Sequence, residues 1–169
     1  MEDVAPERVK LSVGEARALA ERSLLAIGYD AEEARIVTDH VIDAALCGYE
    51  YSGLPKILNV GEHPRLRKPR EPMRVRRETA VSALFDGGNN NGMITVYRAT
   101  QTAIAKAREH GFAVAGVNNT WQSGRGAHYV EMIARADLIG IHAVSSTHQV
   151  APPGGASFSA PIHFRRIGC

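Results

Sequence analysis

The 169-residue chain has 20 lysine and arginine residues against 18 aspartate and glutamate residues, a formal net charge of +2, and 44% hydrophobic residues. This length suffices for one domain with a substantial apolar core, and the composition excludes an intrinsically disordered chain. The nearly balanced charge does not favour a nucleic acid as the main partner.

The sequence lacks the patterns that are typical of export, membrane insertion or metal binding. It has no run of about 18 apolar residues, which a membrane-spanning helix would need. Its charged beginning, MEDVAPERVK, lacks the apolar segment of a signal peptide. The two cysteines, Cys47 and Cys169, are too few for a disulfide framework or a zinc site. We therefore predict a cytoplasmic protein with no membrane partner and no bound metal.

Two amphipathic helices are predicted at the beginning of the chain. Ser12 and Glu15 form the S-x-x-E pattern of a capping box, and apolar residues then recur at three- and four-residue steps. Gly28 stands where the first helix would end, and Asp30 is placed to cap a second helix. Residues 1–48 are therefore predicted to form a helical hairpin.

Residues 49–79 show no sustained periodicity apart from a possible short helix at 55–60, which predicts an extended arm or linker. Loops of this length in compact domains are usually functional or cover a neighbour. We therefore expect a homodimer in which this arm contributes to the contact between the two copies.

The arm also carries seven basic residues within thirteen positions. They could form a phosphate-binding surface, but no aromatic residue alternates with them for base stacking, so a solvated connector is the favoured interpretation. A nucleic-acid-binding module built on this arm ranks last among the functions considered. The basic residues are Arg65, Arg67, Lys68, Arg70, Arg74, Arg76 and Arg77.

From residue 80 onward, strand and helix patterns alternate, as is typical of α/β proteins. The D-G-G-N-N-N-G run at 86–92 is expected to be a turn, and residues 162–169 are expected to be too short for an element of their own. The predicted strands are 80–85, 112–117 and 139–145, and the predicted helices run from Met93 to near Gly111 and from His128 to Ala136.

The predicted fold is an α/β protein with an N-terminal helical hairpin, an extended arm, and a mixed, incomplete sheet flanked by helices. We divide the sequence into the hairpin at 1–48, the arm at 49–79, and a partial α/β domain of nucleotide-binding type at 80–169.

A cluster of polar residues follows the second predicted helix, in the sequence Tyr49-Glu50-Tyr51-Ser52-Gly53. A tyrosine can act as a general acid, and serine and glutamate side chains can orient it. The alternative is a turn whose tyrosines pack against the hairpin, and the residues by themselves favour this alternative.

Four stretches of the sequence carry a resemblance to a known family: GYEYSGLPK at 48–56, DGGNNNG at 86–92, NTWQSG at 119–124 followed by Tyr129, and LIGI to VAPPGG at 138–155. In this order they resemble motifs of the malate/L-lactate dehydrogenase family of NAD(P)-dependent oxidoreductases, which differ from the Rossmann dehydrogenases. That family also includes ureidoglycolate dehydrogenases and diketogulonate reductases.

The resemblance implies hydride transfer between NAD or NADP and a 2-hydroxy acid, or its 2-oxo or imine partner. It also implies a homodimer. The alternative function is that of a truncated or divergent non-catalytic relative, which binds a carboxylate ligand or a partner chain.

The resemblance also assigns site residues, with departures from the family pattern. Ser52 stands in place of the family's proton-donating histidine, Lys56 in place of its substrate-binding arginine, and Gln122 in place of its second histidine. We expect Tyr51, or else Tyr49, to donate the proton, Gln122 to hydrogen-bond the same substrate group, and Lys56 to bind the substrate carboxylate without the bidentate fork of an arginine. The implied cofactor-binding residues are Ser146, Gly154 and Gly155.

Overall fold

The computed structural model describes residues 9–145 together with the backbone of a strand at 162–166. Within these residues the chain forms five α-helices, two 3-10 helices and five β-strands. The α-helices are α1 (Val13–Ala26), α2 (Ala31–Leu46), α3 (Lys56–Glu62), α4 (Gly92–His110) and α5 (Gly126–Ala134). The strands are β1 (Arg74–Thr79), β2 (Ser82–Asn91), β3 (Val114–Trp121), β4 (Ile141–Ser145) and β5 (Ile162–Arg166), and the 3-10 helices are Glu50–Ser52 and Pro64–Arg67.

Two compact units make up the chain, residues 1–61 and residues 62–169. The first unit contains the predicted helical hairpin, α1 and α2. The second contains the strands together with α4 and α5. The three-part division at residues 48 and 79 stays a prediction.

Both predicted helix starts of the hairpin are confirmed. The Glu15 amide donates to Ser12 Oγ at 3.2 Å, and the Glu33 amide donates to Asp30 Oδ1 at 2.8 Å. Each helix begins with a complete capping box, because the glutamate side chain also accepts a hydrogen bond from the amide of the cap residue. The apolar stripes of the two helices bury Ala20, Leu24, Ala34, Val37 and Val41.

The second unit contains the predicted α/β arrangement. Its main sheet has the order β1-β2-β3, in which β1 is antiparallel to β2 and β3 is parallel to β2. The helix α4 makes the crossover between the parallel strands, and it ends at Gly111, whose φ of 80° is the left-handed conformation that favours glycine. Ala99 of α4 packs with Ala83 and Phe85 of β2 in a buried cluster. The predicted α/β fold with a mixed sheet flanked by helices is confirmed.

The prediction of an extended arm at 49–79, with one possible short helix, missed β1. This strand pairs with β2 from Arg74 to Thr79, although all six of its residues are exposed. A strand that is exposed on both faces has no apolar alternation, so periodicity could not reveal it. Backbone pairing with β2 accounts for the strand.

The prediction of a turn at 86–92 was wrong, because β2 continues to Asn91. The pairing register between β2 and β3 shifts between Asp86 and Asn90, and Gly88 and Asn89 within this shift have φ values of 60° and 61°. The glycine and asparagine residues therefore serve an irregularity within a strand rather than a reversal of the chain.

The prediction that residues 162–169 hold no element was also wrong. Residues 162–166 form β5, which pairs antiparallel with β4 from Ile141↔Arg166 to Ser145↔Ile162. Five residues are an ordinary strand length when a neighbouring strand supplies the hydrogen bonds, and β4 is that neighbour. None of the helices in the described part of the chain is long and apolar enough to cross a membrane.

Candidate functional site

The segment of residues 48–56 lies in the first unit, between α2 and α3, and local hydrogen bonds shape it. The Ser52 amide donates to the Tyr49 carbonyl at 3.2 Å, and the Lys56 amide donates to the Gly53 carbonyl at 2.9 Å. A Cβ on Gly53 would lie 3.2 Å from the Ala45 Cβ, so this glycine lets the segment approach α2 closely. The 48–56 segment is thus a tight succession of turns against the end of α2.

Tyr51 and Lys56 are in direct contact within this segment. The Lys56 ammonium lies 4.5 Å from the centroid of the Tyr51 ring. Only 7% of Lys56 is exposed, whereas Tyr51 is 72% exposed. A buried ammonium is costly unless other groups compensate it, and the face of an aromatic ring provides partial compensation. The segment therefore places a shielded positive charge beside a tyrosine that is open to solvent.

The other polar side chains of the segment differ in their access to solvent. Ser52 is buried, with 3% of its surface exposed, and Tyr49 is 45% exposed. The rings of Tyr49 and Tyr51 meet edge to face, with their centroids 6.4 Å apart. A solvent-borne ligand can reach the two tyrosines, but it meets little of the Ser52 side chain.

The predicted site residue Gln122 lies in the second unit. It belongs to residues 119–124, which comprise the last three residues of β3 and the three residues that follow, and which we call the 119–124 loop. Gln122 is half-buried and has a φ of 53°, and Asn119 has a φ of 49°. Asparagine tolerates this left-handed conformation, whereas glutamine seldom adopts it. The 119–124 loop therefore holds Gln122 in a backbone conformation that the residue does not favour by itself.

Arg65 holds the first half of this loop. Its Nε donates to Asn89 Oδ1 at 2.8 Å, one terminal nitrogen donates to the Thr120 carbonyl at 2.9 Å, and the other donates to Asn119 Oδ1 at 2.9 Å. Nothing in the sequence distinguished Arg65 from its basic neighbours, and it was expected to be a solvated residue. The structure uses it as an internal hydrogen-bond donor.

Tyr129 holds the second half of the loop. This residue is fully buried, and its hydroxyl donates to the Ser123 carbonyl at 2.5 Å. Burial raises the pKa of Tyr129 far above its usual value, so the phenol stays protonated and can donate. The Gln122–Ser123 backbone also lies directly against Gly92, where a Cβ would come within 2.8 Å of the Ser123 backbone.

Asp86 supports the same region from β2. Its carboxylate accepts hydrogen bonds from the Gly88 amide and from Asn119 Nδ2, both at 2.9 Å, and it also pairs with the Arg76 guanidinium. These partners lower the pKa of Asp86 to about 2, with the Gly88 amide making the largest contribution. Asp86 is therefore a fixed carboxylate that orients Asn119 and is unsuited to proton transfer near neutral pH.

The described basic residues of the arm include several with partners inside the second unit. Besides Arg65 and Arg76, Arg74 lies 3.7 Å from a Glu71 carboxylate oxygen. An open depression of about 330 Å³ is lined by charged side chains and Gly88; the charged residues are Glu71, Arg74, Arg76 and Asp86. Its charges are of both signs, which does not suit a polyanion.

The predicted cofactor-binding residues Ser146, Gly154 and Gly155 lie outside the described residues. Within the described part, α4 and α5 each have glycine as their first residue, and the space beside these two glycines is filled by the chain's own atoms. Gly92 at the start of α4 faces Ser123, and a Cβ on Gly126 at the start of α5 would lie 2.7 Å from His142 Nδ1. These two helix starts therefore leave no open space beside their glycines for a nicotinamide cofactor.

His142 is a titratable residue close to Tyr129. It lies on β4 with its ring centroid 5.2 Å from that of Tyr129, and burial lowers its pKa. It therefore packs against Tyr129 as a half-buried neutral ring. The part of the chain that the structure describes contains no group of three or more histidine, cysteine, aspartate or glutamate side chains suited to a metal ion.

A family model and individual relatives both match this chain over most of its length. The family model described as malate/L-lactate dehydrogenase matches residues 11–159. The malate/(S)-sulfolactate dehydrogenase of Methanothermus fervidus is 30% identical over 147 residues, which are 86% of this chain and 43% of that protein. The ureidoglycolate dehydrogenase (NAD(+)) of Escherichia coli O157:H7 is 30% identical over 167 residues, which are 95% of this chain and 47% of that protein.

Solved structures show the same similarity. The malate dehydrogenase of Pyrococcus horikoshii OT3 superposes with a TM-score of 0.82 and 28% identity, over 92% of this chain and 45% of that structure. The chain thus spans less than half the length of these matched proteins.

Proposed function

The chain belongs to the malate/L-lactate dehydrogenase family, and from this premise we propose that it is an oxidoreductase that transfers a hydride between NAD or NADP and a 2-hydroxy acid or its 2-oxo or imine partner. The names of its relatives support this class of substrate, since they include malate, sulfolactate and ureidoglycolate dehydrogenases. The proposal also includes a homodimer, located in the cytoplasm, to which the arm at 49–79 contributes.

The observation that carries the proposal within this chain is the contact between Tyr51 and Lys56. A 2-oxo acid offers a carboxylate and an adjacent carbonyl oxygen, and its reduction requires a proton at that oxygen. The ammonium of Lys56 is a partner for the carboxylate, and the exposed phenol of Tyr51 beside it is a partner for the carbonyl oxygen. We assign the carboxylate to Lys56 and the proton donation to Tyr51.

Lys56 differs from an arginine in what it can bind. An ammonium is a compact point charge, whereas a guanidinium forms a planar bidentate fork with a carboxylate. Lys56 therefore fixes the position of the substrate carboxylate more than its orientation. We assign the remaining orientation of the carboxylate to hydrogen bonds from other groups.

Ser52 and Gln122 complete the proposed set of residues. Ser52 follows Tyr51 directly and is buried, so we assign its hydroxyl to the support of the turn that carries Tyr51. Gln122 can donate a hydrogen bond to the substrate oxygen but cannot exchange a proton at neutral pH. For the nicotinamide cofactor we propose contacts at Ser146, Gly154 and Gly155.

The proposal is tested by following the oxidation of NADH and NADPH with a panel of 2-oxo acids that includes oxaloacetate, pyruvate and sulfopyruvate. Tyr51→Phe should lower kcat by about 100-fold or more with little change in KM, because it removes a general acid. Lys56→Met should instead raise KM about tenfold or more, because it removes a charge-assisted contact of about 1.5–3 kcal/mol.

Tyr97→Phe is the matched control, because Tyr97 lies on α4 and its hydroxyl contacts Gln101. This variant should behave like the unaltered chain. Carboxylate binding that depends on Lys56 but occurs without turnover would contradict the proposal, and would favour the non-catalytic relative that binds a carboxylate ligand.

A further inference from the structure

Positive-φ backbone is concentrated at one place in the second unit. Among the described residues, four non-glycine residues have a positive φ, and three of them lie where β2 and β3 end: Asn89, Asn119 and Gln122. Asparagine tolerates this conformation, whereas glutamine keeps it only where its surroundings enforce it, and such strained places are often functional. The contacts around Gln122 therefore show what holds this region in place.

Arg65 enforces the conformation from one side. Its three guanidinium nitrogens donate to the side chains of Asn89 and Asn119 and to the Thr120 carbonyl. Two of these three acceptor residues have a positive φ. A planar guanidinium can serve three fixed acceptors at once, whereas an ammonium cannot reproduce that fork.

Tyr129 and Gly92 enforce the conformation from the other side. The Tyr129 hydroxyl donates to the Ser123 carbonyl, and Gly92 leaves room for the Ser123 backbone. Trp121 is also fixed, because its Nε1 donates to the Asn89 carbonyl at 3.0 Å and its ring stacks on His63 with centroids 4.3 Å apart.

Gln122 is thus held by anchors on both sides, at Thr120 and Trp121 before it and at Ser123 after it. We infer that Arg65 and Tyr129 are positioning residues that clamp the 119–124 loop and keep the Gln122 amide in place for the substrate. The catalytic part of this inference rests on the proposed function, whereas the clamp itself does not.

The clamp is tested with Trp121, the single tryptophan of the chain. Arg65→Lys, Tyr129→Phe and Gly92→Ala should each shift the Trp121 emission and increase amide hydrogen exchange at residues 119–124. The matched controls are Arg67→Lys at an exposed arginine, Tyr97→Phe on α4, and Gly14→Ala in the first turn of α1, where a Cβ meets no atom within 4 Å. Emission and exchange that match these controls in Tyr129→Phe and Gly92→Ala would overturn the clamp, even if Arg65→Lys failed to fold.

The catalytic part is tested with a double-mutant cycle between Tyr129→Phe and Gln122→Ala. If Tyr129 acts through Gln122, Tyr129→Phe should lower kcat about tenfold in the unaltered chain and have almost no effect on kcat when Gln122 is already alanine. Independent losses that multiply would overturn the positioning role. Absence of turnover in the unaltered chain would refute the proposed function and the catalytic part together, whereas the emission data would still decide the clamp.

Discussion

The 48–56 segment and the 119–124 loop carry the proposed chemistry, and they are built in opposite ways. In the first, hydrogen bonds span three residues, and Lys56 reaches a ring five positions earlier in the chain. In the second, Arg65 reaches acceptors 24, 54 and 55 positions away, and Tyr129 closes the other side. The conformation of the first region depends mainly on its own residues, and that of the second depends on the folded second unit.

This difference separates the effects of substitutions in the two regions. A change in the 48–56 segment should alter the chemistry of the side chain that is replaced and leave the rest of the chain folded. A change in the supports of the 119–124 loop should alter stability and geometry together, because several long-range contacts meet at few residues.

The largest effect is expected from comparing two glycines that both have a positive φ. A Cβ on Gly88 would lie 2.1 Å from the Glu71 carbonyl oxygen, so Gly88→Ala should destabilise the second unit by about 3 kcal/mol or more. Gly48, at the end of α2, has a φ of 73° and no atom within 4 Å of such a Cβ, so Gly48→Ala should cost only about 1 kcal/mol. Urea unfolding, followed by Trp121 emission and by helical circular dichroism, measures both costs. Equal losses would remove the distinction between the local and the long-range region.

A smaller effect is expected at the start of α2, where the contacts are local. Asp30→Ala should lower the stability of the hairpin by about 1 kcal/mol, because it removes the side-chain acceptor for the Glu33 amide. Asp30→Ser should restore most of that loss, since serine is also a good cap. Thermal unfolding followed by circular dichroism provides the measurement. A serine variant no more stable than the alanine variant would show that the cap does not stabilise the helix.

The smallest effect is expected at Asp86, and it concerns how stability depends on pH. The pKa of Asp86 is lowered to about 2 from the ordinary value of 3.8, so its contribution to stability is present above about pH 4 and is lost as the pH falls toward about 2. Asp86→Asn should therefore flatten the acid side of the stability profile. Unfolding midpoints between pH 5 and pH 2, monitored by Trp121, test this expectation. An unchanged slope in the variant would mean that another group causes the acid sensitivity.

The same contrast explains how much could be predicted from the sequence. The capping box at Ser12, the cap at Asp30 and the glycine that ends α4 were predicted because each signal lies within a few residues of its partner. The strand β1 was missed because its six residues are all exposed and only its pairing with β2 defines it. The asparagine-rich run at 86–92 showed an unusual backbone, but its continuation as a strand depends on β3.

The residues of the candidate site show the same dependence on how close a residue lies to its partners in the sequence. The tyrosines and Ser52 stood out because they are adjacent in the sequence. Lys56 and Gln122 stood out only through the family resemblance. Gly92 was noted only as the last residue of the 86–92 run, and Arg65 carried no signal of its own. A guanidinium that binds three distant acceptors looks the same in the sequence as one in solvent, so the fold is needed to distinguish the two.

The proposed hydride transfer to the carbonyl carbon of a 2-oxo acid, or to its imine, can be followed with reduced nicotinamide cofactor that carries deuterium at the transferable position. The mass of the product formed from each 2-oxo acid is then measured. If the proposed function is correct, the product is a 2-hydroxy acid that carries one deuterium on carbon, formed much more slowly by Tyr51→Phe and at the unaltered rate by Tyr97→Phe. Absence of a deuterated product with every 2-oxo acid tested would contradict the proposed function, as would a Tyr51→Phe variant that forms the product at the full rate.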